Sequence, residues 1–298
     1  MLIKLSKQEI RALGVLCTTS LATGRLAKAL AVSPGMASRL VKSLEKKAFI
    51  AVKEEAQSKI LSLSLAQHSQ AFKKFYETRP DAKIQEWLAG PAIELLILIS
   101  NEAPLPRSTL EEECSFSRPT LFRKINQLKG AGVISASSAG YTITDSDLRN
   151  FSIAYANTIH TLLTRLHAQA KPAHSTSIRV RKHVVRRLDA HEPSSFFTPT
   201  GLPVLGEHGL EYIPSGSQEY YFNLDERPRK LSVEEAFIHA LLLSTIKPQD
   251  KTILVIALDK VRMDVAKLSR LSRKFLLEQE LLTLLQSVEY HKKLREYE

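Results

Sequence analysis

The residues with the clearest chemistry lie between positions 33 and 46. Ser33, Gly35, Ser38, Arg39, Lys42, Ser43 and Lys46 fall on the outer side of a stretch whose apolar residues, Ala37, Leu40, Val41 and Leu44, recur at helical spacing. That side offers hydroxyls, a guanidinium and ammonium groups, with Glu45 at its edge. Hydroxyls and guanidinium groups suit base edges in the major groove of a duplex, and ammonium groups suit phosphates. Gly35 allows close approach. An ordinary solvated amphipathic helix has the same periodicity, so this stretch alone does not separate the two readings. A second set, Arg118, Phe122, Arg123 and Asn126, lies on the outer side of a similar stretch and also suits a groove.

Such side chains need elements to hold them. Ser6 can cap a helix to about Cys17, with Ile10, Leu13, Leu16 and Cys17 on one face. A short helix from Thr23 to Leu30 buries Leu26, Ala27 and Leu30. Ala31-Val32-Ser33 turns the chain, Ser33 is a good N-cap and Pro34 a good first helical residue, so a third helix is expected from Pro34 to Lys46. Phe49 to Val52 reads as a strand, Lys53 to Ser58 as a polar turn, Lys59 to Leu65 as a second strand, and Ala66 to Tyr76 as a closing helix. Three helices followed by a hairpin make a winged helix. The run GRLAKALAVSPGMASRLVKSLEKKAFIAV resembles the MarR-like and related winged-helix transcription regulators. Two departures stand out. Ala48 occupies the place where such proteins usually have the glycine that ends the third helix, and Glu54-Glu55 put carboxylates in the wing, where they repel phosphate.

The pattern recurs. A shift of 84 residues aligns Leu26 with Leu110, Leu30 with Cys114, Val32 with Phe116, Ser33 with Ser117, Arg39 with Arg123, Val41 with Ile125, Leu44 with Leu128 and Ile50 with Ile134. Helices are expected over Pro91–Ser100, Ser108–Cys114 and Arg118–Lys129, ended by Gly130-Ala131-Gly132. A short wing follows at Val133-Ile134-Ser135 and Tyr141 to Thr144, and Asp145 can cap a long helix to about Ala168. The segment FSRPTLFRKINQLKGAGVI…GYTIT carries the same family resemblance.

Charge separates the two copies. Residues 1–79 hold 14 Lys/Arg against 5 Asp/Glu, residues 80–170 hold 8 against 9, and residues 171–298 hold 20 against 17. Most of the net +11 therefore lies in the first quarter, which points to a polyanion partner there. The second copy carries Glu111-Glu112-Glu113 and no net positive charge, so DNA contact and protein contact are equally open for it.

The final third changes character. His174 to Leu188 is basic, with Arg179, Arg181, Lys182, Arg186 and Arg187, and reads as part of a linker over 171–193 or as a phosphate-tracking arm. The stretch FFTPTGLPVLGEHGLEYIP is turn-rich around a short helix, and a strand follows over Glu219–Leu224. Ser232 and Glu235 form a capping box for a helix over Val233–Ser244. Thr252 to Leu258 is a strand or a helix turn, and two linked helices span Asp264 to Gln286. The segments TGLPVLGEHGLEY, LSVEEAFIHALL and MDVAKLSRLSRKF resemble the C-terminal domain of AbiEi-type antitoxins. That resemblance implies a protein partner, a nucleotidyltransferase toxin, and autoregulation; a ligand-sensing or dimerisation domain is the rival reading.

No P-loop, GxGxxG, HExxH or paired CxxC is present, the nine histidines are scattered, and His239 in its apolar helix reads as a core residue. Neither catalysis, a metal nor a cofactor is expected. Cys17 and Cys114, widely spaced, suit a reduced compartment. Met1 to Glu9 has no signal-peptide core, and Ala236 to Ile246 is about half a membrane span. The expectation is therefore a cytoplasmic, mainly α protein with small β-wings, an α+β chain. It comprises two tandem winged helix-turn-helix domains (1–79 and 80–170), a basic linker (171–193) and an α+β C-terminal domain (194–298). Its expected partners are double-stranded DNA, a second copy in a homodimer and a protein at the C-terminal domain, with no membrane. A winged-helix scaffold for protein docking and a tandem winged-helix replication initiator are the other readings.

Overall fold

The computed structural model describes residues 3–55, 58–79, 83–168, 174–189, 191–192, 194–211, 216–226, 229–248 and 250–296. The chain is mainly helical with small antiparallel sheets, an α+β architecture, and divides into two compact units, Met1–Leu163 and Thr164–Glu298.

The first unit opens with α1 (Lys7–Thr18). Ser6 starts it through a capping box: its hydroxyl accepts from the Glu9 amide at 3.1 Å, and its own amide donates to the Glu9 carboxylate at 2.6 Å. Then come β1 (Leu21–Ala22), α2 (Thr23–Leu30), α3 (Pro34–Lys46), β2 (Ile50–Glu55), β3 (Ser58–Leu63) and α4 (Gln67–Glu77). The strands form one antiparallel sheet in the order β1-β3-β2. Lys53, Glu54 and Glu55 continue β2 instead of forming a turn, because each pairs with a residue of β3. Any turn at 56–57 lies outside the described residues.

The second half of this unit has α5 (Ile84–Leu88), which the sequence pattern did not predict, then α6 (Pro91–Asn101), α7 (Arg107–Glu113) and α8 (Arg118–Gly130). A hairpin, β4 (Ile134–Ser137) and β5 (Gly140–Ile143), leads to α9 (Ser146–His167). Backbone geometry repeats between the halves. Ser33 and Ser117 precede α3 and α8 with φ −65° each and ψ 153° and 152°. After the helices, Ala48 and Gly132 both turn left-handed, at φ 57° and 68°. The Phe49 amide donates to Leu44 O, and the Val133 amide to Leu128 O, each at 2.9 Å. Ser64 Oγ donates to Ala48 O and Thr144 Oγ1 to Gly132 O, each at 2.6 Å. Where the first half has β1, the second has Leu105 exchanging two backbone hydrogen bonds of 2.9 Å with Tyr141. Gly140 makes that approach possible, since a Cβ there would lie 2.3 Å from Leu105 O and its φ is +142°.

The two halves share a core. Phe49 from the first meets Tyr155 of α9 at 5.2 Å between ring centroids, and Phe72 of α4 meets Phe151 of α9 at 5.5 Å. All four rings are buried. Lys74 pairs with Asp147 at 2.7 Å, and Arg79 pairs with Asp145 at the start of α9. Residues 1–163 thus form one compact unit, in which the two halves pack on each other.

The second unit contains β6 (Ser175–Val180), β7 (His183–Leu188), β8 (Thr198–Pro199), α10 (Gly201–Glu207), β9 (Gln218–Asn223), α11 (Val233–Ser244), α12 (Asp250–Lys260), α13 (Val265–Phe275) and α14 (Glu278–Glu296). Its antiparallel sheet runs β6-β7-β9-β8. Every residue of β7 is buried, as is every residue of α11 from Glu234 onward. The stretch expected as a basic linker or arm is therefore a hairpin, with β6 at the edge of the sheet and β7 buried inside it. Its cations are occupied internally: Lys182 pairs with Asp225 at 3.1 Å, Arg187 with Glu219 at 2.6 Å and Asp250 at 2.5 Å, and Arg186 lies 5.1 Å from the Phe197 ring centre. Residues 171–173, 190 and 193 of the expected linker lie outside the described residues. Among the described residues no helix is long and apolar enough to cross a membrane.

Candidate nucleic-acid interface

α3 presents one face to the core and one to solvent. Ala37, Leu40, Val41 and Leu44 are buried; Gly35, Ser38, Arg39, Lys42 and Lys46 are exposed. Ser33 is exposed but committed to structure, its hydroxyl accepting from the Met36 amide at 3.3 Å. Among the described residues Arg39, Lys42 and Lys46 make no hydrogen bond or ion pair, so their charges face solvent uncompensated.

Ser43 differs from its sequence assignment. It is half-buried and donates to Glu9 Oε1 at 2.7 Å, so it turns away from the outer face. Helical periodicity defines a sector but not what a residue at its edge meets. Here it meets a buried ion pair. Lys47, just past α3, is paired with Glu9 and also donates to Lys4 O at 2.7 Å. Burial pushes the Glu9 carboxyl up, but the Lys47 ammonium and hydrogen bonds from Lys47, Ser6 and Ser43 outweigh it, and its pKa falls below the usual value. The Lys47 carbonyl accepts from His68 Nε2 at 3.1 Å, and His68 Nδ1 lies 3.0 Å from Thr158 Oγ1 on α9. The end of α3 is thereby fixed to α1, α4 and α9.

Sequence reading passed over other exposed cations in this half: Arg25 and Lys28 on α2, Lys53 on β2 and Lys59 on β3. The three-residue spacing of Arg25 and Lys28 on a short amphipathic helix was the available signal. Glu54, expected to repel phosphate, is 3.3 Å from Lys59. Both are well exposed, so the pair contributes little energy, yet it offsets one hairpin carboxylate.

The matching face of α8 is arranged differently. Arg107 and Arg118 both reach Glu111, at 2.8 Å and 3.4 Å, and their guanidinium carbons lie 4.1 Å and 5.6 Å from the centre of the half-buried Phe122 ring. Arg118 and Phe122 thus belong to a local cluster that contains its own carboxylate. Arg123 and Asn126 remain exposed. Histidines expected not to be ligands are engaged elsewhere: His239 is buried, stacked on Tyr221 at 4.9 Å and 2.8 Å from Thr200 Oγ1, and His183 Nδ1 is 2.7 Å from Tyr221 Oη. Among the described residues no group of three or more His, Cys, Asp or Glu is placed to hold a metal ion.

No family model, curated protein or solved structure matches this chain.

Proposed function

We propose that residues 1–163 carry two winged helix-turn-helix motifs in tandem. On this reading the chain is a sequence-specific double-stranded-DNA-binding transcription regulator that inserts α3 into the major groove. The observation that carries this reading is the outer face of α3, where Ser38, Arg39, Lys42 and Lys46 stand exposed on a helix whose end is held by a buried ion pair. Hydroxyl and guanidinium groups on such a helix match base edges, and the ammonium groups match phosphates. The MarR-like resemblance of the same segment agrees with this assignment. A homodimer would read two half-sites about one helical turn apart.

The test is duplex binding by fluorescence anisotropy across a salt series. Arg39→Ala with Lys42→Ala is expected to weaken binding, to reduce the slope of log affinity against log salt by about 1 for the Lys42 phosphate contact, and to relax sequence preference through the lost Arg39 base contact. Binding unchanged in that variant would sink the assignment. For residues 194–298 the AbiEi-type resemblance favours a repressor with a protein partner, and co-purification with a neighbouring nucleotidyltransferase tests it.

A further inference from the structure

α1 packs against α2, α4 and α5, and between them lies a cleft of about 420 Å³, wholly within the first unit. Ile10, Leu30 and Ile84 give it an aliphatic wall, and all three are buried. Its polar lining includes Arg11, Tyr76 and Gln85. The half-buried Arg11 guanidinium donates to Gln8 Oε1 at 3.3 Å and has no carboxylate partner among the described residues. Tyr76 Oη and the Gln85 side-chain amide make no hydrogen bond among the described residues. Thr18, which also lines the cleft, is already committed, its hydroxyl donating to Val15 O at 2.8 Å. Gly14 sets how closely the phenol approaches α1. A Cβ there would lie 2.7 Å from Tyr76 Oη, so only a bare backbone admits the ring in this place.

A cavity of this size takes a small molecule. One cation without a carboxylate, one phenol hydroxyl and one amide share it with branched aliphatic side chains. That set fits an anion with an apolar tail. A guanidinium pairs with a carboxylate through two parallel hydrogen bonds, a hydroxyl and an amide can donate to the same group, and the tail removes apolar wall from water. Tyr76 is the one ring among the described lining residues, and it already stacks on Phe72 with centroids 6.0 Å apart, so the wall suits an aliphatic tail better than an aromatic one. We propose that this cleft binds a small aliphatic carboxylic acid, with Arg11 as its charge partner and Tyr76 as a second donor. The assignment stands apart from the DNA-binding reading of α3.

The experiment uses the full chain with hexanoate as the probe, beside hexanol, hexylamine and benzoate. Binding is read by calorimetric titration and by the methyl resonances of Ile10, Leu30 and Ile84. Hexanoate is expected to bind saturably, with a Kd of millimolar order, and to shift those methyls. Hexanol and hexylamine should bind about tenfold more weakly or not at all, and benzoate more weakly than hexanoate. Arg11→Met should weaken hexanoate about tenfold and Tyr76→Phe about threefold, while Arg11→Lys keeps part of the affinity. Hexanoate that fails to saturate, or that saturates without moving those methyls, overturns the proposal whatever the variants do. Equal binding of hexanol or hexylamine, or undiminished binding by Arg11→Met, overturns the charge pairing. Tighter binding of benzoate overturns the aliphatic assignment.

Discussion

Ala48 and Gly132 stand at matching places in the two halves, each just past its helix and each in the left-handed region at φ 57° and 68°. For alanine that conformation costs roughly 1 kcal/mol, which glycine avoids. Ala48→Gly is therefore expected to raise the thermal midpoint slightly, with a gain of at most about 0.5 kcal/mol after glycine's extra unfolded-state entropy. Lys47 and Glu9 set a larger effect. Removing one partner strands a buried charge, so Lys47→Met is expected to cost about 3–5 kcal/mol in denaturant unfolding. Adding Glu9→Leu should recover much of the loss. His68 makes stability depend on acid. Burial brings its pKa down to about 4, while the unfolded chain titrates near 6.5. Below pH 6.5 the unfolded state takes up a proton that the folded state refuses. Stability is complete above that pH, declines as pH falls toward 4 and then levels, a loss of up to about 3 kcal/mol from this residue. Chemical denaturation of His68→Gln across that window should show a shallower decline. At this scale the sequence predicted the exposure of Arg39 and Lys42, for which no other side chain competes. It set Ser43 and Phe122 on an outer face where the structure half-buries them, while Arg118 is exposed as expected but also pairs with Glu111; periodicity does not report such partners.

Elements were legible where capping chemistry is local. Ser6 with Glu9, Ser33 with Pro34, and Ser232 with Glu235 begin helices where the spacing predicts them. β6 and β7 were not legible. Their two-residue connection, Arg181-Lys182, lacks the Asn-Gly type of turn that usually marks a hairpin, and Arg181 takes φ 53°. Arginines in a buried strand look like a solvated run until Glu219, Asp225 and Asp250 are brought to them by the fold. Thr252 to Leu258 illustrates another limit: a short apolar run fits a strand or a helix, and it forms part of α12. The second hairpin offers a direct test at this scale. Gly140→Ala forces a methyl against Leu105 O, and the expected loss of about 2–3 kcal/mol should register in thermal unfolding.

Across the whole molecule, the repeat was visible as an 84-residue shift, but its consequence for domain structure was not. The helices expected over Ala66–Tyr76 and from Asp145 to about Ala168 carry Phe72, Phe151 and Tyr155, but helix bounds do not say whose interior these rings fill. They fill a common one with Phe49. A fragment of residues 1–79 is therefore expected to show helical circular dichroism without a cooperative melt. Residues 1–168 should melt cooperatively in calorimetry.

That shared interior has a consequence for synthesis. Phe49 and Phe72 leave the ribosome well before Phe151 and Tyr155 exist. At ordinary translation rates the delay is on the order of ten seconds. During it the nascent first motif carries an unfinished aromatic surface, which only the last helix of its twin can close.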